Sequence, residues 1–286
     1  MKKILMTGAN GLVGKALKQH FLKLGYLVFS TNRHHPKEPL YFNLKELPKN
    51  LEPFEGFDVL IHLAGESIAG IRWTETKKKR LLKERVVASE NLKSLISHLK
   101  QPPKQVLIAT GVGYYGSQSK AVMTENSPQG KGFLANLAAS IEKVWQISQI
   151  KPVFMRFATV LSLNGGALEK ISLPWKFHLL PIFGAKNHFF PFITLHELVK
   201  MIAFVIEKPQ LNGPVNFCSE KPMIQEELFS KLNDTRSKKL SFVIPRWLIK
   251  ILLGQMGEET LLVDLKVIPN RLKDLDYPFE KKIDLN

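Results

Sequence analysis

Cysteine is almost missing from this chain: Cys218 stands alone among 286 residues. One thiol cannot close an internal bridge, so a disulfide-stapled fold is excluded and a reducing, cytoplasmic setting is expected. Long apolar runs are missing too. No stretch approaches the roughly 18 residues that span a bilayer. The opening Met1-Lys2-Lys3-Ile4-Leu5-Met6 turns polar at Thr7-Gly8, too early for a signal-peptide apolar region, so no integral membrane association is expected. The eight histidines show no metal-ligand spacing, and the His34-His35 pair falls in a loop, so no metal is expected. Acid is scarce: 25 Asp+Glu against 41 Lys+Arg leave a formal charge of +16. That balance favours anionic ligands without choosing among a small phosphate, a nucleic acid and a membrane.

What is present is a globular composition, 44% hydrophobic and 23% charged, long enough for one large domain or two modest ones. Short apolar runs alternate with helical patterns in the first half. Strands are expected at Lys3 to Met6, Tyr26 to Phe29, Phe57 to Leu63, Val106 to Ala109 and Val153 to Met155. Helices are expected at Leu12 to Leu24, Thr74 to Leu99 and Phe133 to Ile150. Continuous apolar strands separated by helices predict an α/β, Rossmann-type doubly wound parallel sheet. After Arg156, prolines 174, 181, 191, 209, 214 and 222 break the chain into short pieces. The expected division is a nucleotide-binding core over 1–160 and a smaller substrate lobe over 161–286, with some elements returning to the core. Helices are expected in the lobe near His196 to Glu207, Gln225 to Leu232 and Trp247 to Leu253.

The segment Thr7-Gly8-Ala9-Asn10-Gly11-Leu12-Val13-Gly14 follows the first strand and opens the first helix, the context a dinucleotide-binding turn requires. Gly8 allows the tight turn, Gly11 a close approach of pyrophosphate, and Gly14 tight helix packing, with the helix N-terminus favouring the phosphates. Gly8, Asn10, Gly11, Leu12, Val13 and Gly14 are therefore assigned to the cofactor. An NAD site wants an acid at the end of the second strand for the ribose 2′-OH. This chain has Ser30-Thr31-Asn32-Arg33 there, with no acid. Arg33, beside Asn32, can fork onto a 2′-phosphate, so NADP(H) is expected; the competing reading is a solvated loop arginine.

Three stretches carry a family resemblance: the turn above, Leu63-Ala64-Gly65, and Thr110-Gly111-Val112-Gly113-Tyr114-Tyr115-Gly116. They resemble the extended short-chain dehydrogenase/reductases. More narrowly, the chain is similar to an atypical branch labelled "epimerase family protein", through Ala64-Gly65-Glu66-Ser67-Ile68-Ala69-Gly70 with Arg72-Trp73, Gly165-Gly166, Phe189-Phe190-Pro191, Gly213-Pro214-Val215-Asn216 and Lys266-Val267-Ile268-Pro269. The resemblance runs over essentially the whole chain. It implies that Leu63, Ala64 and Gly65 pass beside the adenosine, and that the strand ending at Val160 brings backbone near the nicotinamide. Arg85 takes the position where many extended members carry an asparagine near the cofactor, though its basic helix also reads as a solvated face. Pairing into a homodimer through two long helices is implied as well.

Standard members use a Ser/Thr, a Tyr and a Lys four residues after that Tyr. Here the aligned helix start, Phe133-Leu134-Ala135-Asn136-Leu137, puts Phe133 and Leu137 where Tyr and Lys are expected. Thr110 remains as the hydroxyl partner. Two other Tyr-x-x-x-Lys matches, Tyr41 to Lys45 and Tyr277 to Lys281, fall where no suitable helix is expected. Tyr114 or Tyr115 is the candidate proton donor, against a plain role as packing aromatics, with Glu66 and His196 as outside candidates. Two functions stay open: an NADP(H)-dependent oxidoreductase or epimerase-like enzyme acting on a small carbonyl or alcohol, and a non-catalytic NADP(H)-binding regulator. Nucleic-acid binding by Lys77 to Arg85 and membrane contact by Pro245 to Leu253 are the weaker readings; the latter segment is expected to pack in the lobe. Trp175, Phe177, Phe189, Phe190 and Phe192 are expected to form an apolar pocket or to belong to the core.

Overall fold

Alternation inside the apolar runs decides the architecture. Ile4, Met6, Val59, Ile61 and Leu107 pack into one buried cluster, whereas their strand neighbours Leu5, Leu60, Val106 and Ile108 pack into another. Successive side chains leave a strand on opposite faces, so these strands are buried on both sides. The computed structural model describes residues 1–286 apart from 69, 71, 147–149, 178, 233–239, 284 and 286.

In chain order the strands are β1 (Lys3–Thr7), β2 (Leu27–Ser30), β3 (Val59–His62), β4 (Gln105–Gly111), β5 (Gln118–Met123) and β6 (Val153–Phe157). They continue with β7 (Thr159–Leu161), β8 (Leu179–Phe183), β9 (Phe192–Thr194), β10 (Gly213–Phe217), β11 (Leu240–Ile244) and β12 (Leu265–Val267). The helices are α1 (Leu12–Lys23), α2 (Glu75–His98), α3 (Phe133–Val144), α4 (Ala167–Ile171), α5 (Leu195–Ile206), α6 (Gln225–Leu232), α7 (Arg246–Leu253), α8 (Gln255–Thr260) and α9 (Asn270–Asp274).

Six strands make one parallel sheet in the order β10-β6-β4-β3-β1-β2. Ile4 pairs with Val28 on one side and Val59 on the other, so the chain runs outward from β1 to β2 and then crosses back to β3. That reversal is the topological switch point, outside whose carboxyl ends such sheets bind ligands. Helices α1 and α5 pack together on one face, α2 and α3 on the other. The expected doubly wound parallel sheet is the one observed.

The chain after residue 160 returns to the sheet through β10, which pairs with β6 at the edge. It also contributes short parallel pairs, β7 with β9, β8 with β11 and β12 with β5. Strands of three to six residues among prolines leave little period-2 signal, which is why the sequence did not announce them. Helix α3 ends at Val144, short of the expected Ile150; residues 147–149 of that stretch, like Ala69 of the 64–70 motif, lie outside the described residues.

Of the aromatics expected to form an apolar pocket or to belong to the core, Phe190 and Phe192 are core residues and Trp175 packs at a tilt on Phe229 at 5.8 Å, whereas Phe177 is exposed; none of these lines the aliphatic cavity of about 360 Å³ described below. Helix α7 packs only in part: Ile249 is buried, whereas Trp247 and Ile251 are each 62% exposed.

Candidate active site

The turn at the carboxyl end of β1 cannot be built with larger residues. Gly8 has φ +74°, and a Cβ there would lie 2.6 Å from the Ala64 amide nitrogen. A Cβ on Gly14 would lie 2.4 Å from the Gly8 carbonyl oxygen. On Gly11 it would meet only that same carbonyl, at 3.4 Å, leaving the rest of its surroundings open. Gly11 is also the N-cap of α1, has no side-chain cap, and is followed by no acid in the first turn. The first amides of α1 therefore keep the capacity to bind an anion. The end of β3 is pinned to this turn: Thr7 Oγ1 lies 2.7 Å from His62 Nδ1 and accepts the Ala64 N–H at 3.3 Å. Burial, aided by Arg85, pushes His62 down to about 3, so the imidazole is neutral.

Two cavities open along the carboxyl edge, and Arg85 lines both. The first, about 830 Å³, is rich in charge. Arg33, Lys45, Arg80, Lys83 and Arg85 line it beside Ala64 and Gly65, with Glu66 and Glu84 as counter-charges. Glu66 pairs with Arg80 at 2.6 Å, so it is engaged here rather than held ready as an acid. Asn32 is occupied as well: its amide donates to Glu38 and its carbonyl accepts the His34 and His35 amides, which fold the loop after β2. Lys45, Arg80 and Lys83 were missed from sequence. Positions 80, 83, 84 and 87 share one face of α2, so the helical period carried the signal inside what read as a solvated basic run.

The Arg85 guanidinium sits where a side chain on Gly65 would be, with Cζ 2.0 Å from the place of a Cβ, and Nη2 donates to the Glu66 carbonyl at 2.8 Å. Burial pulls its pKa below the ordinary value, against the pull of Glu84 and Glu66.

The second cavity, about 360 Å³, is walled by Val13, Leu63, Ala109, Leu134, Leu137, Ala138, Ile141 and Phe157. Among the described residues that line it, only Arg85 and Glu259 are ionisable. Glu259 is committed: it accepts the Phe133 and Leu134 amides, both at 2.8 Å, and the Gln255 side-chain amide at 2.7 Å. A carboxylate from α8 thus caps α3, which no local sequence signal announces. Thr110 lines the cavity, and its hydroxyl is buried without a partner. Val160 does not line it; the neighbouring Ala158 and Thr159 do.

Helix α3 presents Leu134, Leu137, Ala138 and Ile141 to the cavity. Phe133 points elsewhere, packing edge-on against Trp73 at 5.0 Å. The cavity-facing pair at a four-residue spacing is Leu134 with Ala138, or Leu137 with Ile141, and Phe133 belongs to neither. Leu134 comes close to the β4 turn, with its Cβ 2.8 Å from where a Cβ on Gly113 would lie.

Neither expected tyrosine faces this space. Tyr115 is fully buried, donates to Asn216 at 2.7 Å and accepts from Arg156 at 2.9 Å; burial pushes its pKa up to about 12. Tyr114 stacks under the Arg156 guanidinium at 3.5 Å. Arg156 is itself held by a two-pronged bond to Glu142. These rings brace β4, β6 and α3, and proton donation into the cavity is not what their placement serves. His196 lies 3.8 Å from Glu280, on α5. Tyr41 and Tyr277 are both outside helices, as expected.

A doubly wound parallel sheet with a glycine turn at its switch point is a Rossmann-type architecture. The profile of the NAD dependent epimerase/dehydratase family matches residues 4–216, and the chain belongs to that family. Residues 244–281, which hold α7, α8 and Glu259, match a domain of unknown function, DUF1731. "Epimerase family protein Mb2239" of Mycobacterium bovis is 26% identical over 281 residues, covering 96% of this chain and 93% of its own. "Epimerase family protein SA0724" of Staphylococcus aureus is 28% identical over 289 residues, covering 98% and 95%. The crystal structure of human epimerase family protein SDR39U1 (isoform2) with NADPH superposes with a TM-score of 0.86 at 27% identity, covering 98% of this chain and 95% of that one.

Proposed function

We propose that this protein binds NADP(H) and exchanges hydride between its nicotinamide and a small carbonyl or alcohol substrate. The observation that carries the reading is the basic cavity: Arg33 and Lys45 stand at the adenosine end with Arg80 and Lys83, and the end of β2 offers no acid to prefer a ribose hydroxyl. The similarity to SDR39U1, solved with NADPH, supports the same assignment.

The residues fit the cofactor. The uncapped amides of α1 and the open side of Gly11 suit the pyrophosphate, with Asn10, Leu12 and Val13 completing the turn. Ala64 and Gly65 border the adenosine ribose, Arg33 takes the 2′-phosphate, and Arg85 stands where the two cavities meet. The bound nicotinamide supplies or accepts the hydride. Leu63, Leu137 and Ile141 exclude water, and Thr110 holds the substrate oxygen through its otherwise unpaired hydroxyl.

A second reading, a non-catalytic NADP(H)-binding regulator, is favoured by the absence of a tyrosine or lysine from the cavity-lining residues of α3. The proposal also includes a core over 1–160 with a substrate lobe over 161–286, a homodimer through the two long helices, and a cytoplasmic location suited to the lone Cys218. Among the described residues no helix is long and apolar enough to cross a membrane.

Titration with NADPH and NADH, followed by quenching of protein fluorescence, tests the reading. NADPH is expected to bind at least about tenfold more tightly, and Gly14→Val to abolish binding of both. Equal affinity for the two would remove the role given to Arg33, and binding of neither would sink the proposal.

A further inference from the structure

Two polar groups beside the apolar cavity have nothing to bond to. The Arg85 Nε–H and the Thr110 hydroxyl are both shut off from solvent without a hydrogen-bond partner, and both residues line the cavity of about 360 Å³. An acceptor that reaches such a donor recovers the desolvation that it now bears alone. The other ionisable group of the lining, Glu259, already accepts three hydrogen bonds. Glu66, Glu84 and the neutral His62 lie around Arg85, which is the one cationic side chain among the described residues of the apolar lining.

The cavity therefore offers positive charge and hydrogen-bond donors, while its one acid, Glu259, is already engaged by three N–H donors. Reduction of an unconjugated carbonyl places a full charge on one oxygen and needs a positioned acid to quench it. Reduction of a conjugated carbonyl spreads that charge into an enolate or phenolate, which fixed donors in a water-poor site can hold.

Resting on the dinucleotide reading above, we propose that the substrate is a conjugated carbonyl compound of the enone or quinone class, and that Arg85 and Thr110 form an oxyanion site in place of a general acid. The acceptor gains a hydride at the conjugated carbon, where a C–H bond forms. Its π pair moves onto the carbonyl oxygen, and the reduced nicotinamide dinucleotide that gave up the hydride is oxidised. The oxyanion rests against Arg85 and Thr110 until water supplies the single proton that completes the reduction. Leu134, Ala138 and Phe157 provide walls for a flat apolar body.

The test uses 4-nitrophenol, whose ionised form is coloured, with the purified full-length protein. An oxyanion site lowers the pKa of the bound phenol by about 1–3 units, whereas burial in a merely apolar cavity raises it. The expected result is a lowered pKa in the native protein, lost in Arg85→Met and reduced in Thr110→Val. A bound pKa that is unchanged or raised, or a phenol that does not bind, overturns the inference. Thr110 lines the smaller cavity and not the basic one, so a shift that Thr110→Val leaves unchanged overturns the inference even if Arg85→Met fails to fold. NADPH titration of the same sample separates the two claims. NADPH binding with a raised phenol pKa leaves the dinucleotide reading standing and removes only this one; absence of NADPH binding removes both.

Discussion

The two cavities that share Arg85 are built on opposite principles. The larger one is lined by charges from α2 and from the loops after β2 and β3, several of them half in solvent. The smaller one is lined by aliphatic side chains of α3 and the β4 turn, closed by α8 and the segment after it. The first suits recognition of a fixed, anionic ligand by long cations that tolerate small errors of position. The second suits chemistry on a group whose charge develops late, because few water dipoles are there to compete. The position that usually carries a proton donor is aliphatic in the same cavity that holds two unpaired donors.

Several experiments would break or sharpen this contrast. The largest effect is expected from Leu134→Tyr with Ala138→Lys, which installs an acid and its cation on the cavity face of α3. Reduction of unconjugated aldehydes should rise by about 10²–10⁴, while Phe133→Tyr with Leu137→Lys should do far less, because Phe133 packs on Trp73. Equal gains from the two pairs in steady-state assays would show that the face is misassigned. On the polar side, Arg33→Ser should weaken NADPH by about 10–100-fold, the worth of a charge-assisted contact, and leave NADH nearly untouched. A parallel loss for both dinucleotides in calorimetry would place the 2′-phosphate elsewhere.

A smaller effect is expected where the lobe meets the core. Glu259→Gln leaves one of the two α3 amides without an acceptor and should lower stability by about 1 kcal/mol in urea unfolding. No change would mean that the cap is dispensable. The last effect, seen only as a pH dependence, concerns His62, which joins the turn to β3. Its folded pKa, about 3, lies below the ordinary 6.5. As pH falls through 6.5 the unfolded chain takes a proton that the buried ring refuses, so stability declines with acid across that window. His62→Asn should flatten this slope in melts between about pH 7 and about pH 5; an unchanged slope would assign it to other groups.

Much of the first half was legible because its signals are local. The glycine turn, the strands β1 to β4 and the long helices follow from side-chain period and from residues that only one backbone conformation accepts. Arg33 was singled out for a similar reason, lying where a strand end meets a known demand, and it lines the larger cavity. Tyr114 and Tyr115 show the opposite case. Their place after β4 was right, but their hydroxyl and ring had partners on Arg156 and Asn216, contributed from β6 and β10 far along the chain. On α3, Leu137 lines the cavity but Phe133, four residues earlier, packs on Trp73 instead, a choice of neighbour that helical period alone does not record.

By itself, then, the sequence determined the doubly wound class, the dinucleotide turn and the want of an acid after β2, because each depends on residues within a few positions of one another. Only the tertiary structure decided that Arg85 stands at the meeting of two cavities, that Glu259 caps a helix some 125 residues earlier, and that Leu134 and Ala138 face the space that Phe133 does not. Those facts depend on how distant segments pack, and side-chain period along a chain carries no record of which remote partner fills a given face.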